Sequence, residues 1–129
     1  LAMTGDTVEQ AAALRRDWLA ALADLFTRFD ALVLPSAQVW PFPASLRIPQ
    51  SIGGKPLDTY HRWMEIVIPV SLIGLPSLNV PVGFGKSGLP MGMQIFGPTG
   101  ADAQILALGQ SYHEATDWPG KAPPSFDGS

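Results

Sequence analysis

Few side chains in this sequence could do covalent chemistry. It holds two histidines, His61 and His113, three lysines, Lys55, Lys86 and Lys121, and no cysteine. Without cysteine there are no disulfides, no thiolate nucleophile and no Cys-ligated zinc. The histidines are not spaced as His-x-x-x-His or any comparable ligand pair. Each therefore reads as a surface or hydrogen-bonded helix residue, and no metal site is expected. There is no Gly-x-x-x-x-Gly-Lys-Ser/Thr loop to cradle a phosphate and no Gly-x-Ser-x-Gly turn to present a serine. Gly83, Gly85 and Gly88 match a dinucleotide-binding loop only loosely, and no helix follows them. The residues present offer no catalytic set, and no cofactor is expected.

The elements that would position these side chains follow from patterning. The chain has 129 residues, of which 47% are hydrophobic and only 15% charged. That is enough for one domain, or a piece of one, with a real core. Eight basic residues stand against eleven acidic ones, so a nucleic-acid partner, which requires a basic stripe, is not expected. No apolar run reaches the ~20 residues of a membrane span. So low a charge fraction suggests a chain that something else covers. It opens at Leu1 rather than at a methionine. This suggests a processed chain or one cut from a longer protein.

Ala11, Leu14, Trp18, Leu22, Leu25 and Phe29 recur at helical spacing, with Leu19 and Phe26 widening the stripe. The spacing predicts a helix from Asp6, capped by that residue with Glu9, to Phe29. Asp24 and Arg28 lie four apart and can pair weakly. Ala31 to Leu34, stopped by Pro35, reads as a buried parallel strand. From Pro35 to Pro56 prolines prevent regular ladders, and Gly53-Gly54 marks a turn. Asp58 or Thr59 would cap a second helix through Tyr60, Trp63, Met64, Val67 and Ile68, which Pro69 bends or ends and Gly74 stops. Leu78 to Val82 and Met91 to Phe96 read as hairpin strands joined through Gly83 to Gly88. A last helix, Asp102 to Ala115, would turn Ile105, Leu106, Leu108 and Tyr112 inward. From Trp118 onward the composition predicts a loosely ordered tail.

The distinctive signal runs from Gly74-Leu75-Pro76-Ser77-Leu78-Asn79-Val80-Pro81-Val82-Gly83-Phe84 to Gly88-Leu89-Pro90-Met91-Gly92-Met93-Gln94-Ile95-Phe96-Gly97, then Asp102 and Ile105-Leu106. Upstream stands Phe29-Asp30-Ala31-Leu32-Val33-Leu34-Pro35. This order resembles the C-terminal region of the amidase signature family, with its "GxPxxxVPxGF…GLPxGxQxxG…D…LL" pattern. The Tyr60-His61-Arg62-Trp63-Met64-Glu65 stretch is similar to a subgroup of bacterial amidases. The resemblance spans nearly the whole chain.

The resemblance implies an α/β fold: a partial mixed sheet covered by helices, the C-terminal lobe of the amidase signature fold. It also implies that residues 1–129 are a C-terminal fragment of an amidase domain. The parent would hydrolyse a carboxamide to an acid and ammonia or an amine. The family's serine nucleophile, its second serine and its lysine base lie upstream of this region. No such serine signature occurs here, so no catalytic residue is assigned and the chain alone is expected to be inactive. The resemblance assigns a lining role on the acyl side of the substrate pocket to Ser36, Trp40 and Phe42. It extends that role to His61, Met64, Glu65 and Ile68, spaced to share one helix face. The expected partners are a small amide substrate and the rest of the amidase domain, with self-association of the isolated chain and a cytoplasmic location for the parent. A self-contained, non-catalytic binding module and the structural half of a split amidase are the alternatives.

Overall fold

A computed structural model describes residues 4–121. Helix α1 spans Gly5–Leu25. Its cap is Thr4, not Asp6. The Thr4 hydroxyl accepts from the Thr7 backbone, and the Thr7 hydroxyl reciprocates on the Thr4 backbone at 2.9 Å. Asp6 instead lies in the first turn, where its charge complements the exposed N–H groups. The helix stops four residues short of Phe29. Past Leu25 the backbone passes into turns, and the Thr27 hydroxyl donates to the Asp24 carbonyl at 2.7 Å. Asp24 and Arg28 pair at 3.5 Å as their spacing predicts.

The main sheet has three strands, β1 (Leu32–Pro35), β4 (Ser77–Phe84) and β5 (Pro90–Phe96), in the order β1-β5-β4. β5 is central and antiparallel to both neighbours. The parallel reading of the first strand is therefore wrong. Its short apolar run is an edge strand with Val33 and Pro35 turned outward, and Pro35 stands at its end, where a missing donor costs least. The β4–β5 hairpin forms as its pattern predicts. Pro81 sits in an edge strand, and a register irregularity follows between Pro81 and Gly83. Gly88 turns the connection with φ +75°. A second, two-stranded sheet, β2 (Ser51–Ile52) with β3 (Lys55–Pro56), closes through Gly53-Gly54.

The expected second helix is two pieces. Tyr60–Met64 form a 3-10 turn, and α2 (Ile68–Ile73) begins separately with Pro69 in its first turn. Pro69 starts a helix here because its missing N–H is spare in a first turn, while its ring forbids continuity with the turn before. Gly74 ends α2 in the left-handed region, as expected. Helix α3 spans Asp102–Thr116. Its inward face carries Ile105, Gly109 and Tyr112. Ile105 and Gly109 are buried, and the Tyr112 hydroxyl donates to the Pro81 carbonyl at 3.0 Å. Leu106 and Leu108, expected inside, face outward. Of the tail, Trp118–Gly120 make a 3-10 turn whose Trp118 ring lies against Gly83. The rest of it, residues 122–129, lies outside the described residues.

One core occupies one face of the sheet. Leu22, Val70, Ile73, Leu75 and Phe96 are buried together, with Trp18, Phe26, Leu32 and Leu34 packed around them. Phe26 meets Phe96 edge to face at 6.3 Å. The C-terminal half of α1 and α2 thus cover β5, while α3 covers the opposite face. The N-terminal half of α1 is uncovered, and Leu14 is 69% exposed. Among the described residues no helix is long and apolar enough to cross a membrane.

Candidate functional site

The loop after β1 is fixed in three steps. First, the Ser36 backbone N–H donates to the Gly92 carbonyl at 3.0 Å, extending the β1–β5 ladder by one residue. A Cβ at Gly92 would lie 2.7 Å from the Ser36 hydroxyl and 3.2 Å from the Val80 carbonyl. Only glycine lets the loop approach the sheet this closely.

Second, the backbone of Ile66, between the 3-10 turn and α2, is held by two side-chain amides. The Gln38 carbonyl oxygen accepts from the Ile66 N–H at 3.3 Å. The buried Gln94 amide donates to the Ile66 carbonyl at 3.0 Å and to the Pro35 carbonyl at 3.1 Å. The two bonds to Ile66 satisfy backbone groups that the break before Pro69 leaves without helical partners. Third, the rings lock. Phe42 meets Trp63 edge to face at 5.8 Å, Tyr60 meets Trp63 at 5.9 Å, and the Trp40 ring lies against Gly85 in the β4–β5 turn.

The result is a cleft of about 420 Å³ whose walls include Ser36, Trp40, Phe42, Trp63, Met91 and Gly92. Among the described residues no charged side chain lines it. The Trp63 indole N–H is buried and makes no hydrogen bond with them. Beside it, around Gln38, a second cleft of about 540 Å³ is charged, lined by Lys55, Asp58, Arg62 and Glu65 among others. Arg62 bridges two carboxylates there, with Nε 3.1 Å from Asp58 and Nη1 2.8 Å from Glu65. The hydrogen bond from Arg62 holds the Asp58 carboxyl below its ordinary pKa, and the two carboxylates raise that of Arg62.

Of the residues expected to line one pocket, Ser36, Trp40 and Phe42 come together. His61, Met64, Glu65 and Ile68 do not share a helix face, because no single helix carries them. His61 is exposed beside Tyr60, Met64 is half-buried, and Glu65 belongs to the charged cleft. Ile68 lines a third, apolar groove between α1 and α2 with Leu14, Trp18 and Leu72. The sequence reading missed Trp63, Met91, Gln38 and Gln94 as residues of the site. The one available signal was Gln94, a lone amide at an inward position of an apolar strand.

Known proteins share this architecture. A family profile described as Amidase matches residues 2–106. The chain is 37% identical over 112 residues to a glutamyl-tRNA(Gln) amidotransferase component from Hahella chejuensis, covering 85% of this chain and 20% of that protein. It is 39% identical over 85 residues to an indoleacetamide hydrolase of Allorhizobium ampelinum, covering 66% and 18%. The solved structure of a bacterial aryl acylamidase of the amidase signature family superposes with a TM-score of 0.82 at 26% identity, covering 92% of this chain and 24% of that one. The chain spans about a fifth of the length of the curated relatives it matches. By motif, fold and relatives, this chain belongs to the amidase signature family.

Proposed function

We propose that this segment is the C-terminal part of an amide-hydrolysing domain. In it, the segment builds one wall of the pocket for the acyl side of the substrate. The serine nucleophile and lysine base come from sequence outside the segment. The reaction would replace the carboxamide C–N bond by a C–O bond from water, giving an acid and ammonia or an amine. The observation that carries this reading is the uncharged cleft where the loop from Ser36 to Phe42 folds over the start of β5 at Gly92. It is concave, largely apolar and held by hydrogen bonds behind its walls, as a pre-formed ligand site is. Family membership leaves the acyl group open. The relatives' names range over glutamyl-tRNA, indoleacetamide and aryl acylamides.

The partner that completes the pocket would be the rest of the amidase domain. The outer edge of β1 is unpaired among the described residues, and the groove between α1 and α2 is apolar. Both are surfaces that a larger domain would cover, and both favour self-association of the segment by itself.

Amide and indole N–H shifts of the chain titrated with acetamide, butanamide and hexanamide test the reading. Saturable shifts should centre on Ser36, Trp40, Trp63 and Met91 and grow with acyl length. Shifts centred on the groove at Leu14 and Leu72, or none at all, would remove the cleft from the substrate's path.

A further inference from the structure

We propose that the cleft between Trp40, Phe42 and Trp63 is a subsite for a neutral, planar aromatic ring, so that it takes carboxamides with an aryl acyl group in preference to those with an aliphatic or charged one. The proposal rests on the reading of this cleft as the acyl wall.

The rings already form an edge-to-face series. Tyr60 and Phe42 each meet Trp63 at close to 90°, with centroids 5.9 and 5.8 Å away. This is the favoured quadrupolar arrangement, and a further ring entering the cleft extends it at similar spacing. Trp40 supplies a fixed face. Its ring presses on Gly85 so closely that a Cβ there would lie 2.8 Å from the indole, yet half of the residue stays exposed. An indole held on one side and open on the other is a preorganised apolar plane, and covering it needs no ordering of a mobile side chain. Met91 adds a thioether, which adapts to a ring and makes favourable sulfur–aromatic contacts.

Charge is excluded by the same geometry. Ser36 contributes the one hydroxyl of the lining, and the cluster of charges at Lys55, Asp58, Arg62 and Glu65 lines a separate cleft. A carboxylate on the ring would lose water and meet no opposite charge among the lining residues, and an ammonium would trade its hydration for ring faces alone. A neutral ring, with its polar end toward Ser36, loses nothing comparable.

The test is a nuclear magnetic resonance titration of the chain with benzamide, cyclohexanecarboxamide and benzoate, read at the indole N–H groups of Trp40 and Trp63. Two aromatic contacts that the saturated ring cannot make predict a Kd for benzamide about tenfold below that of cyclohexanecarboxamide. Benzoate should not saturate the same signals. Trp40→Leu and Phe42→Leu, each checked for an unchanged spectrum around Leu22 and Phe96, should remove most of that preference. Equal affinity for the two amides would overturn the aromatic preference while leaving the cleft as an acyl wall. Benzoate binding as tightly as benzamide would overturn the neutrality. If no probe moves either indole, the aromatic subsite and the acyl-wall reading both fail.

Discussion

The buried side-chain amide of Gln94, on the central strand, donates to the backbone carbonyl of Ile66 at 3.0 Å. The same nitrogen reaches the Pro35 carbonyl. One side chain therefore ties together the sheet, the start of the loop that carries Trp40 and Phe42, and the break that sets Trp63. Its loss should loosen every wall of the cleft at once.

Gln94→Leu keeps the volume but removes both donors and strands two carbonyls. The expected loss of stability is about 2–4 kcal/mol, read as a shift of the urea midpoint at unchanged slope. Gln38→Ala, whose bond to Ile66 lies at an exposed site, should lose less than about 1 kcal/mol. Equal losses would show that Gln94 has no special place.

Two glycine substitutions should separate fold from site. Gly92→Ala sets a methyl against the Ser36 hydroxyl and the Val80 carbonyl, and backbone cannot swing aside. It should lose about 1–3 kcal/mol. Gly85→Ala drives a methyl into the half-exposed Trp40 ring and forces it out of the place where Gly85 holds it. It should change stability by less than about 0.5 kcal/mol, yet alter Trp40 fluorescence and weaken amide binding.

The charged cleft has a pH signature. Arg62 holds the Asp58 carboxyl below its ordinary value. A carboxyl lowered on folding adds stability that is present above its unfolded pKa and is lost as pH falls through the folded one. Because the pair is exposed, the effect on stability is small. Arg62→Ala should return the Asp58 pKa upward, as followed by carboxyl-carbon resonances between pH 2 and 6. An unchanged titration would remove Arg62 as the cause.

Light scattering at micromolar concentration should find the isolated chain self-associated. Val33→Lys on the open strand edge and Leu14→Glu with Leu72→Glu in the helical groove should each shift it toward monomer. A wild-type monomer that binds no apolar dye would show that the segment closes its own surface.

Much of the fold was legible because its signals are local. The stripe through Trp18, Leu22 and Phe26, the hairpin around Gly88 and the stop at Gly74 each depend on a few neighbouring residues. Direction in the sheet was not legible: Leu32 to Leu34 reads the same in either orientation, and only pairing with Phe96 to Met93 decides it. The site was half legible. Ser36, Trp40 and Phe42 share one loop, so their proximity follows from sequence. Trp63 joins them only because the chain breaks before Pro69, and that break is held by Gln38 and Gln94 from distant positions. Helical spacing applied across the break misassigned His61, Glu65 and Ile68 to one face.

On the proposed reading, the segment carries a substrate wall without the groups that cleave the substrate. The decisive assay is ammonia release from benzamide and from aliphatic carboxamides by the purified chain. No release above the uncatalysed background is expected for any amide in the panel. Release that scales with protein concentration, and that persists when Lys55, Lys86 and Lys121 are all replaced by methionine, would overturn it.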